Sequence, residues 1–149
     1  MTTAALVAAL DQAKDLATRG EAVPEAVTDL VLRILAEASA TQAVLDALRG
    51  ASDGRALLRV TDGVRAIEFQ AGDGKLFAEI ADPKGPGPKV DATAATWLGL
   101  LGGTLKPWLA FTRGLVVCRA GITELRWMPK TAERLQRGYE EARRLESAR

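Results

Sequence analysis

The sequence predicts an α+β fold, and three observations predict it. Apolar residues repeat with a helical period over the first fifty positions, switch to a period of two from Ala56, and regain the helical period beyond Asp91. Two Asp-Gly pairs, Asp62-Gly63 and Asp73-Gly74, punctuate the alternating stretch where tight hairpin turns belong. Helical stretches gathered on either side of a local strand meander make an α+β chain.

The N-terminal helices follow from their stripes and stops. Thr2 or Thr3 caps a first helix in which Leu6, Leu10, Ala13 and Ala17 share a face, and Gly20 ends it. Pro24 suits the first turn of a second helix, whose Val27, Leu30, Val31, Ile34 and Leu35 form the strongest helical stripe in the chain. A shorter helix from about Thr41 carries Val44, Leu45 and Leu48 and stops at Gly50.

RALLRV, VRAIEF and KLFAEIA then read as three antiparallel strands. If both Asp-Gly pairs are two-residue turns, Leu58 faces Ile67, Ile67 faces Ile80, Ala56 faces Phe69, and Phe69 faces Ala78. One side of the meander is then apolar. The other side places Glu68 beside Glu79, a pair expected to face water. ADPKGPGPKVD, with three prolines and two glycines between Ala81 and Val90, reads as a loop. It lacks the glycine spacing of a phosphate cradle, and its prolines remove the N–H donors such a cradle uses.

Asp91 or Thr93 caps the next helix, in which Ala94, Trp97, Leu98 and Leu101 lie on one face and Gly102-Gly103 supply the stop. Pro107 opens a short helix that sets Trp108 and Phe111 one turn apart, turned toward the apolar interior. Beyond Gly114, the unalternating LVVC predicts a strand covered on both faces and ended by Gly121. Pro129 leads into a last helix with Ala132, Leu135, Tyr139 and Ala142 as its inner stripe.

Composition excludes several chemistries. The chain has no histidine, which removes the commonest general base, the commonest metal ligand and the usual activator of a serine or cysteine nucleophile. Cys118 is alone, so neither an intrachain disulfide nor a cysteine zinc site can form, and an apolar strand would keep its thiol protonated. No cofactor and no metal are expected. Twenty basic against nineteen acidic residues give no footprint for nucleic acid. The charges are nevertheless uneven, with four basic and seven acidic residues over 1–50 and seven and four over 126–149. No apolar run reaches the roughly 20 residues of a membrane-spanning helix, and no secretory leader is evident, so a cytoplasmic location is expected. At 149 residues the chain is expected to form a single domain over 1–149.

The order of the parts resembles the sterol carrier protein 2 family. In VDATAATWLGLLGGTLKPWLAFTRGLVVCRAG the matching features are Trp97-Leu98 in a helix, Gly103 and Leu105 after it, Pro107, Phe111, Gly114 and Gly121. The similarity covers roughly residues 55–135, with 1–50 as a helical extension and 130–149 as the closing helix. Two departures stand out. The family's strand after the phenylalanine alternates basic and apolar residues where this one is apolar, and its entry is less helical. Ser147-Ala148-Arg149 does not match a peroxisomal address, which favours a bacterial-type cytoplasmic member.

The resemblance implies a five-stranded, mainly antiparallel sheet covered by helices, with a hydrophobic tunnel that binds or carries lipids without catalysis. Fatty acyl chains, acyl-CoA and sterol-like lipids are the expected ligand class. Candidate wall residues are Trp97, Leu98, Leu101, Trp108, Phe111, Val117, Leu125 and Trp127. Transient contact with a membrane surface and a homodimer are compatible with this reading. The alternative is a structural or interaction module of the same fold with a filled core, which dimerises or docks a partner enzyme.

Overall fold

A computed structural model describes residues 3–120 and 126–149. Three helices come first: α1 (Thr3–Arg19), α2 (Pro24–Ser39) and α3 (Gln42–Ala47). The meander follows as β1 (Gly54–Val60), β2 (Ala66–Gly72) and β3 (Lys75–Ala81), then β4 (Lys89–Ala92), α4 (Ala94–Gly102), α5 (Pro107–Thr112), β5 (Val117–Arg119) and α6 (Met128–Ser147). The five strands form one sheet in the order β3-β2-β1-β4-β5, antiparallel except where β4 runs parallel to β1. The expected α+β class and five-stranded sheet are both present.

Meander register matches the pattern residue for residue. Leu58 pairs with Ile67, Ala56 with Phe69, Ile67 with Ile80 and Phe69 with Ala78. The two turns differ, however. Gly72 pairs with Lys75, leaving Asp73-Gly74 as a two-residue turn, whereas Thr61 to Arg65 form a longer connection on the same register. Other hydrogen bonds hold that longer loop. The Asp62 carboxylate accepts from the Ala94 N–H at the start of α4 (2.9 Å), and Glu25 at the start of α2 accepts from Val64 N–H (3.2 Å) and Arg65 Nε (2.7 Å).

Burial separates the two faces of the sheet. Ala56, Leu58, Ile67, Phe69 and Val90 face the helices and are buried, while Ile80 near the end of edge strand β3 is left exposed. The helix stripes supply the cover: Leu6, Leu10 and Ala13 from α1, Val27, Val31 and Ile34 from α2, and Leu135, Tyr139 and Ala142 from α6 join one core cluster. The first fifty residues therefore belong to the same core as the sheet. On the outer face Glu68 does stand beside Glu79, but it is only 8% exposed instead of facing water, and Arg55 Nη2 donates to its carboxylate at 3.0 Å. Residues of the 82–88 loop lie near Leu57 and Glu68 on that face, and Leu57 is buried.

Two expectations about the second half of the sheet are corrected. Residues 89–92 are a strand, not an extension of the loop, and Thr93 is the helix cap, its hydroxyl accepting from Thr96 N–H at 3.3 Å. Asp91 has a different task. It is 4% exposed on the outer face, with Arg59 donating to both carboxylate oxygens (2.6 and 2.7 Å) and Arg119 donating to one (2.7 Å). β5 is not covered on both faces, since Val117, Cys118 and Arg119 are all exposed at the sheet edge. Cys118 is therefore accessible, although desolvation and then the neighbouring Asp91 charge push its thiol pKa up. The strand end expected at Gly121 lies outside the described residues.

Burial alone would raise the pKa of Asp91. The hydrogen bonds and charges of Arg59 and Arg119 outweigh it and hold the carboxyl below its usual value. A carboxyl depressed in the folded state contributes stability above its unfolded pKa, about 3.9, and loses it as pH falls through the folded value. Asp91→Asn should cost about 2–3 kcal/mol at pH 7 and flatten the loss of stability below about pH 4, read from urea midpoints between pH 2 and 7. An unchanged acid profile would contradict this role. At Gly138, where α6 passes α3, an added Cβ would lie 2.8 Å from Val44 Cα. Gly138→Ala is expected to destabilise by about 1–3 kcal/mol in the same assay, because backbone would have to shift.

Candidate functional site

The inner face of the sheet supplies a floor. Leu58, Phe69 and Val90 come from three adjacent strands, and their register places them on the helix side. Val31 and Leu35 of α2, Trp97 and Leu101 of α4, Phe111 of α5, and Leu135 and Tyr139 of α6 stand around that floor. Together with Val116 and Met128 they enclose a cavity of about 90 Å³. The described lining carries no charged side chain and no thiol; its polar members are Gln136 and Tyr139.

Local structure fixes the main wall residues. The Thr93 cap starts α4, and one turn later Trp97 Nε1 donates to the carbonyl of Arg59 at 3.0 Å. The indole is thus tied to β1 while its ring faces the cavity. Gly103, at φ +81°, ends α4, and Gly114, at φ +71°, ends the following segment. Both sit in the left-handed region, so α5 is bounded by positions at which side-chain-bearing residues would be strained. Pro107 and Ala110 are buried, and Phe111 beside them reaches the cavity.

Tyr139 is the unusual member of the wall. It is 4% exposed, and its hydroxyl has no hydrogen-bond partner among the described residues. Burial pushes the phenol pKa far up, so it is a neutral donor at any working pH. Gln136, one turn earlier, donates through Nε2 to the carbonyl of Leu100.

The residues singled out from the sequence are distributed as follows. Trp97, Leu101 and Phe111 meet at the cavity, whereas Leu98 is buried in the core without lining it. Trp108 is 54% exposed and turns away from the interior, contrary to expectation. The reason is geometric: successive helix residues are about 100° apart, so a face formed by Pro107, Ala110 and Phe111 leaves Trp108 at its flank. There it borders an open groove with Lys14, Lys106 and Arg137. Val117 points outward because its cross-strand partner is Asp91, which fixes both on the outer face, and Val116 faces in instead. Trp127 lies flat on Phe69, with ring centroids 6.2 Å apart and planes 3° from parallel, beside Gly54, where a Cβ would come within 2.2 Å of the indole. Leu125 lies outside the described residues.

Sequence reasoning named the α4 and α5 side of the cavity and missed the rest. The missing walls, from α2 and α6, were visible only as core stripes. Nothing in their spacing marks which core residues border a void. Among the described residues no group of three His, Cys, Asp or Glu side chains is placed to hold a metal ion.

No family model and no curated protein matches the chain. Solved structures do. A conserved protein from Thermus thermophilus, described as a candidate sterol carrier protein, is 24% identical over 79% of this chain and 87% of its own, with a TM-score of 0.49. A crystal structure of sterol carrier protein 2 is 22% identical over 77% of this chain and 95% of its own, with a TM-score of 0.51. An SCP2-type ubiquinone synthesis protein is 13% identical over 75% of this chain and 93% of its own, at 0.43. The family resemblance seen in the sequence holds at the level of architecture: this chain has the fold of sterol carrier protein 2.

Proposed function

We propose that the chain binds and carries hydrophobic ligands, of the fatty acyl, acyl-CoA or sterol-like class, without covalent chemistry. The observation that carries this reading is the apolar cavity between the inner face of the sheet and α2, α4, α5 and α6. Each buried CH₂ contributes about 0.8 kcal/mol, so a long chain gains on the order of 10 kcal/mol before ordering and association costs reduce it. Such a site selects by length and girth.

Size imposes a condition. Small-molecule pockets are typically about 300–1,000 Å³, and this cavity holds about 90 Å³. Ligand entry therefore requires a wall to move. α5 is the element suited to it: six residues long, it packs on α4 and α6 and is flanked by Gly103 and Gly114. Carrying Phe111 outward with α5 would join the cavity to the groove beside Trp108, since Leu101, Pro107, Gln136 and Tyr139 border both. That groove, with its exposed indole and Lys106, is the place for transient contact with a membrane surface. None of the described helices is long and apolar enough to cross one.

The same small volume favours a second reading, a filled module of this fold that dimerises or docks a partner enzyme. Native mass spectrometry after gentle purification separates the two. Carriage predicts a copurified lipid, or uptake of fatty acyl, acyl-CoA or sterol probes; a chain that stays empty and binds none of them contradicts it. Ala132→Leu adds three carbons at the cavity wall. It is expected to stabilise the ligand-free chain by about 1 kcal/mol and to weaken probe binding at least tenfold. Unchanged binding would move the site elsewhere.

A further inference from the structure

β3 forms one edge of the sheet, and its pairing with β2 fixes which of its backbone groups are free. Gly72 and Lys75 close a two-residue turn, so Lys75, Phe77 and Glu79 exchange hydrogen bonds with β2, and the N–H and C=O groups of Leu76, Ala78 and Ile80 point away from it. Among the described residues none of those outward groups meets a partner. Natural sheets blunt such an edge with short strands, proline, bulges or lysines. β5, at the opposite edge, has three residues, and its Arg119 is tied to Asp91. β3 has seven, in unbroken register and without proline.

The side chains on the outer face of β3 indicate what pairs with it. Lys75, Phe77 and Glu79 alternate onto that face, Phe77 is 45% exposed, and neither charged side chain has a partner among the described residues. Glu79 also stands beside Glu68, whose cation is Arg55, so a like charge is its neighbour and no counter-charge answers it there. A lone lysine would repel a second copy of the strand, whereas a lysine and a glutamate four residues apart on one face attract it. We propose that β3 pairs antiparallel with β3 of a second copy of this chain, about a two-fold axis at Phe77, joining the two sheets edge to edge. In that register Leu76 of each copy faces Ala78 of the other, and these residues exchange the free backbone hydrogen bonds. The two Phe77 rings meet at the axis, and Lys75 of each copy stands directly opposite Glu79 of the other. An axis at Ala78 would instead set Phe77 against Glu79 and Lys75 against Ala81. The elements packed on β3 are β2 and α2. α5 and the groove beside Trp108 belong to neither, so the inference is independent of what the cavity holds.

Sedimentation velocity of the full chain tests this, with a reductant present so that exposed Cys118 forms no cross-link. Because one strand makes the interface, wild type is expected to be a weak dimer whose sedimentation rises between about 10 µM and 1 mM. Ala78→Pro removes an outward N–H without touching the β2 ladder, and should leave a monomer across that range with an unchanged far-UV circular dichroism spectrum. Lys75→Glu and Glu79→Lys each set like charges across both symmetry-related pairs and should weaken dimerisation roughly fivefold or more. The double variant Lys75→Glu with Glu79→Lys restores the attraction and should return to within about twofold of wild type. This charge swap decides the matter even where the proline variant does not fold. A wild type still monomeric at about 1 mM would overturn the proposal. So would a dimer that survives in folded Ala78→Pro, or one in which the double variant is as weak as the single ones.

Discussion

Asp91 joins three strands through one carboxylate, and the position of the cavity depends on that junction. Arg59 of β1 and Arg119 of β5 both donate to it, across the parallel pairing of β1 with β4 and the antiparallel pairing of β4 with β5. β4 has four residues and β5 three, so neither brings much backbone pairing of its own. Taking the carboxylate out of water is unfavourable, and two guanidinium partners offset it where one exposed partner would not. With β4 fixed, Thr93 caps α4 two residues later, and Trp97 follows with its indole tied to the carbonyl of the same Arg59. One arginine thus holds the outer face through its side chain and the inner wall through its backbone.

The two faces of the sheet consequently do different work. The outer face carries the ion pairs of Arg55 with Glu68 and of Asp91 with Arg59 and Arg119, together with the proline-rich loop. The inner face is apolar, and helices from both ends of the chain close over it. Close approaches make this possible at Gly102, where a Cβ would lie 2.7 Å from Lys14 Cα, and at Gly138 against Val44. Small residues let α1 and α3 approach their partners while α5 stays short and peripheral. A small void remains where the α5 side chains meet the sheet, and it is there that an apolar ligand would enlarge the interior.

Much of this architecture was legible in the sequence, for identifiable physical reasons. Strict alternation between Asp-Gly turns sets every meander pair, because a one-residue slip would turn Ile67 and Phe69 to the outer face. The stripes of α2 and α6 were equally plain. β4 was not, because four residues after three prolines show too little alternation and their partners on β1 lie thirty-two residues earlier in the chain. LVVC misled for a related reason: a run of apolar residues predicts two-sided burial, yet at this sheet edge only Val116 is covered. Trp108 misled because a six-residue helix is too short for its stripe to be read, and two aromatics one turn apart need not face the same way as Pro107 and Ala110. A void cannot be read from periodicity at all. Val31 or Tyr139 at a cavity and Val27 or Ala142 in solid core carry the same pattern.

On the proposed reading an apolar ligand enters between the sheet and α6 by displacing α5. A crystal structure of the chain grown with a fatty acyl probe reads that displacement. Density for the probe is expected between Phe69 and Tyr139, with α5 moved outward about Gly103 and Gly114 and β4 unmoved on Asp91. A probe lying in the groove beside Trp108, over an unchanged cavity, would contradict it.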